Sequence, residues 1–119
     1  MLQKKIEYGP YSRNEWHVLN GLEDSNVQKV LNAIYFLDWD NYNLWAHGGI
    51  LEDRQTTDLD LTITGPVDAD KINFLLDTIM AYSFSYGVYV DVKYLFKGEL
   101  FDHQLWLEDQ ISIRNLYAT

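Results

Sequence analysis

Apolar residues at Val27, Val30, Leu31, Ile34, Tyr35 and Leu37 recur every three or four positions, the spacing that lays side chains along one face of an α-helix. Asp24 or Ser25 supplies an N-cap, so a helix is predicted from there to about Asp38. A second stripe, Ile72, Leu75, Leu76, Ile79 and Met80, predicts another helix, capped by Asp68 or Asp70 and ending near Tyr86-Gly87. Elsewhere the period changes to two. Leu44 to His47 reads as a short strand ending at Gly48-Gly49, and Thr57 to Thr64 as a second, stopped by Gly65-Pro66. Val88 to Phe96 reads as a third, with Val88, Val90 and Val92 on one side and Tyr89, Asp91 and Lys93 on the other. Ile111 to Leu116 has the character of a final strand. The residues up to about Gly21 fit either a short strand or an irregular arm, and Leu100 to Glu108 has no clear period.

Two strands joined by a short link, then a helix leading to another strand, give a mixed sheet with helices on at least one face. The expectation is an α+β chain forming one domain over residues 1–119, with a mixed sheet of about four strands and two main helices. Hydrophobic residues make up 47% of the chain and aromatics 15%, far above the depleted composition of disordered chains, so a packed core is expected. No segment approaches the roughly 20 apolar residues that cross a bilayer. The N-terminal residues MLQKKIEYGPYSRNEW lack the apolar run of a secretory signal, and a cytoplasmic location is the expectation. The absence of cysteine excludes disulfides and thiolate metal sites. Acids outnumber bases 18 to 9, for a net charge of -9, which disfavours binding to a nucleic-acid backbone. A small anion accompanied by its own cation remains admissible. The plainer meaning of the acidity is solubility.

Asp58 and Asp60 flank Leu59 in a β-branched run, and strand alternation turns both toward one face. Two carboxylates so close repel each other and stay ionised only beside a strong counter-charge, most simply a divalent cation with oxygen ligands. Asp91, on the polar side of another strand, is a candidate neighbour of that pair. Three carboxylates on adjacent strands suit two-metal chemistry on a nucleoside triphosphate, in which one of them doubles as base. Gly48 and Gly49 would let backbone N–H groups approach the phosphates, and Arg54 would add a fork of donors. Lys93, one strand step beyond Asp91 on the same face, is a candidate for a phosphate contact or a salt bridge. The alternatives are a solvated face for the acids, a tight turn for the glycines, and surface pairing of Arg54 with Glu52 or Asp53. His47 reads as a packed or surface side chain, and Trp16, Trp39 and Trp45 as core or edge aromatics, any of which could stack on a base.

A Gly-Gly pair after a strand, then Arg54 and Thr57 ahead of Asp58-Leu59-Asp60, then a separate apolar-flanked Asp91: over about Leu44 to Tyr94 this resembles the nucleotidyltransferase superfamily related to DNA polymerase beta. The resemblance implies transfer of a nucleoside monophosphate from a nucleoside triphosphate such as ATP, with Mg²⁺ or Mn²⁺, to a hydroxyl of a small molecule or protein. Asp58 and Asp60 would be metal ligands, and Asp91 the third ligand or the base. Gly48 and Gly49 would cradle the triphosphate, with Arg54 and Thr57 shaping the loop around it. A protein partner could supply the acceptor, as in a small antitoxin that adenylylates its toxin. The link from Gly49 to Asp58 leaves room for about one helical turn. A second reading keeps the fold without turnover, as an interaction or structural protein of a larger assembly. The four Trp and nine Tyr residues favour it, because these types are enriched at interfaces.

Overall fold

Helix α1 (Ser25–Tyr35) starts where Asp24 turns its carboxylate onto the backbone N–H groups of Asn26 (2.8 Å) and Val27 (3.4 Å), satisfying donors that have no partner inside the helix. It stops three residues short of the expected Asp38. The Trp39 indole N–H donates to the Ile34 carbonyl at 2.9 Å, and Leu37 N–H bonds the same carbonyl, so these groups take the acceptor that a further turn would have used. Helix α2 (Ala69–Tyr86) begins at Asp68, which accepts from the Lys71 N–H, and ends at Gly87 in the left-handed conformation that only glycine adopts without strain. Both ends match the expectation.

The computed structural model describes residues 4–7, 16–52, 55–95 and 111–112. Its strands are β1 (Lys4–Glu7), β2 (Asn43–His47), β3 (Leu59–Thr64), β4 (Val90–Leu95) and β5 (Ile111–Ser112), with a short 3-10 turn over Gly48–Leu51. The architecture is α+β, two helices and a mixed sheet in the order β1-β4-β3-β2-β5. Three strands make its centre. β2 and β3 are antiparallel, joined through the 3-10 turn, while β3 and β4 are parallel, joined through α2. Two short edge strands bring the count to five where about four are expected; β1 resolves the early residues toward a strand, and the expected continuation of the last strand past Ser112 lies outside the described residues.

One face of the sheet is apolar. Leu44 and Ala46 of β2, Leu59, Leu61 and Ile63 of β3, and Val90, Val92 and Tyr94 of β4 pack with Val27, Val30, Leu31 and Ile34 of α1 and Ile72, Leu75, Leu76 and Ile79 of α2 in one buried core. The opposite face alternates with it and carries His47, Asp60, Thr62, Asp91 and Lys93. β3 opens at Leu59 rather than Thr57, because Thr56 pairs with Leu19 through two backbone bonds (2.8 and 2.9 Å) instead of extending the sheet. β4 opens at Val90 rather than Val88, since Val88 N–H bonds the Ser83 carbonyl and Ser83 hydroxyl donates to the Val88 carbonyl, holding that residue to the end of α2.

Candidate active site

The sheet register sets the polar face in rows. Asp60 on β3 is paired with Asp91 on β4 and, on its other side, with His47 on β2. Neighbouring strands are about 5 Å apart, so the two acids are direct lateral neighbours on one face. Lys93 and Trp45 flank Thr62 in the next row. Asp60, Asp91, Lys93 and His47 are all half-buried. Asp58 precedes β3, also half-buried, and accepts a hydrogen bond on Oδ1 from the Thr56 hydroxyl at 3.0 Å. Leu59 N–H donates to the Tyr89 carbonyl at 2.8 Å, so the chain at Asp58 runs beside the start of β4.

Gly48 closes the β2 side of this row. Its φ is +75°, and a Cβ built on it would lie 2.6 Å from Asp60 Oδ2. A side chain there would have to push the end of the Asp60 carboxylate aside, the rest of Asp60 lying at ordinary contact distance. Gly49 follows within the 3-10 turn, a single turn as the short link predicts, and its carbonyl accepts from Glu52 N–H. Thr57 is exposed, and Thr56, which the sequence reading passes over, is the residue whose hydroxyl reaches Asp58. The signal for it was a hydroxyl two positions before the first acid, on the same side of an extended chain. Arg54 lies outside the described residues.

Diagonal hydrogen bonds tie β2 to β3 behind the acids. Trp45 Nε1 donates to Thr64 Oγ1, and His47 Nε2 meets Thr62 Oγ1, both at 2.9 Å and both displaced by two residues from the register partner. Burial, reinforced by the Lys93 ammonium, pushes His47 down to about 4, against the opposing effect of a hydrogen bond with the Leu61 backbone. The ring is neutral at pH 7, with one nitrogen able to donate and the other to accept.

The candidate ligands Asp58, Asp60 and Asp91 offer carboxylate oxygen only, the donor type that suits Mg²⁺ or Mn²⁺ rather than a softer metal. Among the described residues, no three His, Asp or Glu side chains form a group that could hold a metal ion. An open cavity of about 220 Å³ between Asn20–Glu23 and Ile50–Glu52 carries Glu23 and Glu52, which do not favour a phosphate there. No helix among the described residues is long and apolar enough to cross a membrane. Comparison with family models, curated proteins and solved structures found no match.

Proposed function

We propose that the chain is a metal-dependent nucleotidyltransferase, moving a nucleoside monophosphate from a nucleoside triphosphate to a hydroxyl on a small molecule or protein. The carrying observation is the lateral pairing of Asp60 with Asp91 on parallel strands, with Gly48 backbone against the Asp60 carboxylate. Asp58, Asp60 and Asp91 would hold Mg²⁺ or Mn²⁺, which when bound supplies positive charge to the phosphate oxygens and steadies the leaving pyrophosphate. Gly48, in the 3-10 turn after β2, lies against Asp60, and its main chain with that of Gly49 would be the part suited to the triphosphate. Asp91, the register partner of Asp60 on β4, would be the third ligand or the base for the acceptor. The acceptor oxygen attacks the α-phosphorus, the bond to pyrophosphate breaks, and the hydroxyl proton passes to the Asp91 carboxylate. Lys93, in the next row, is suited to a phosphate oxygen.

The test is calorimetric titration of ATP and the other nucleoside triphosphates, with and without Mg²⁺ or Mn²⁺. The native chain is expected to bind only with the metal, and Asp58→Ala plus Asp60→Ala to lose that binding. No binding by the native chain contradicts the enzyme reading. It would favour the second reading, an interaction or structural protein of this fold.

A further inference from the structure

Asn20-Gly21 is the one Asn-Gly pair in the chain, and the fold leaves it open. It lies between Leu19, which pairs with Thr56, and the start of α1, in a turn where Gly21 has a φ of +87° and its carbonyl accepts from Asp24 N–H at 3.2 Å. Asn20 is exposed. Its side-chain amide donates to Asp24 Oδ2 at 3.3 Å, a long contact between exposed groups, and the same oxygen accepts the Asn20 backbone N–H at 3.0 Å. Among the described residues, no hydrogen bond occupies Gly21 N–H. Even a Cβ on Gly21 would meet only the Ile50 carbonyl, at 3.9 Å, so nothing shields the nitrogen from the Asn20 side chain beside it.

We infer that Asn20 is a self-modification site at which the chain deamidates, and that the product loosens the cap of α1. The Gly21 nitrogen gives up its proton to solvent and attacks Asn20 Cγ. The Cγ–Nδ2 bond breaks, ammonia leaves with a proton taken from water, and a five-membered succinimide closes. Water then opens either carbonyl, giving aspartate or isoaspartate at position 20. The amide that donated to Asp24 becomes a carboxylate, which only accepts. Two negative charges then face each other, and one of them is the Asp24 side chain that caps the Asn26 and Val27 N–H groups. In isoaspartate the main chain also gains a methylene between the Leu19–Thr56 pairing and Asp24, which draws the position-20 N–H away from Oδ2.

The experiment is incubation of the full chain, folded or unfolded in urea, in mildly alkaline buffer, followed by peptide mapping with mass spectrometry. The folded chain is expected to convert Asn20 over days, at a rate of the same order as in urea, with isoaspartate the larger share. Asn20→Gln keeps an amide but would have to close a larger ring, and is expected to stay unmodified at this position. Conversion confined to the unfolded chain shows that the Asp24 contact protects Asn20, and overturns the inference. Asn20→Asp, made directly, is expected to melt below the native chain and to exchange the Asn26 and Val27 amide hydrogens severalfold faster. Should that variant fail to fold, the deamidated native sample is measured in its place with the same expectation. Melting and exchange equal to those of the unmodified chain overturn the effect on the cap.

Discussion

A side chain at position 48 would collide with the carboxylate of Asp60, because the Gly48 Cα faces Asp60 so closely that a Cβ would sit 2.6 Å from Oδ2. Gly48→Ala therefore strains a backbone at φ +75° and also displaces Asp60. The left-handed conformation alone costs an L-residue about 1 kcal/mol, and the collision adds to it. A loss of about 1–3 kcal/mol in urea unfolding is expected, together with loss of metal-dependent nucleotide binding. A variant as stable as the native chain would show that the turn moves freely to admit a methyl group.

Asp60 and Asp91 face each other across β3 and β4 as like charges, an arrangement that destabilises a sheet pair by a few tenths of a kcal/mol up to about 1. In chelator, Asp91→Asn is expected to raise stability by about 0.5 kcal/mol. In excess Mn²⁺ the order reverses, since only the native chain gains the binding energy of the ion. Melting both proteins under both conditions reads the effect, and a variant less stable in chelator would remove the repulsion from the account.

His47 links stability to pH. Its folded value, about 4, lies below the ordinary 6.5, so between these values the unfolded chain binds a proton that the folded chain refuses. Stability contributed by the neutral ring is complete above about pH 6.5, is lost as pH falls, and levels off below about pH 4. The loss should be about 1–2 kcal/mol, discounted because the ring retains contact with solvent. Urea titrations at pH 7 and pH 4 on the native chain and His47→Gln isolate this contribution, and identical pH dependence in the two proteins would exclude it.

Asp24 acts in the same direction over a lower range. Burial raises its carboxyl, but hydrogen bonds from the Asn26, Asn20 and Val27 backbones outweigh that and hold it below the ordinary 3.8. Its cap is present above about pH 4 and is lost as pH falls through the lowered folded value. Asp24→Ala is expected to cost about 1 kcal/mol at pH 7 and less in acid, measured by thermal unfolding.

Much of this fold could be read from local pattern, because α2 is an apolar stripe bounded by an Asp cap and a glycine, both decided by neighbours in sequence. The end of α1 could not, since Trp39 reaches back to Ile34 through its side chain. Nor could the start of β3, where Thr56 pairs with Leu19 from a distant part of the chain. The same holds for the site. Period-two alternation and a helical crossover are enough to set Asp91 beside Asp60, whereas choosing Thr56 over the adjacent Thr57 depended on that tertiary pairing.

In the proposed function, Asp60 and Asp91 share a divalent cation with a bound nucleotide. Anomalous diffraction from crystals grown with Mn²⁺ and a non-hydrolysable nucleoside triphosphate addresses it at atomic distance. A manganese peak is expected within about 2.5 Å of carboxylate oxygens from both residues, and from Asp58, with phosphate oxygens completing the coordination. Nucleotide bound elsewhere, or a peak touching neither Asp60 nor Asp91, would contradict it.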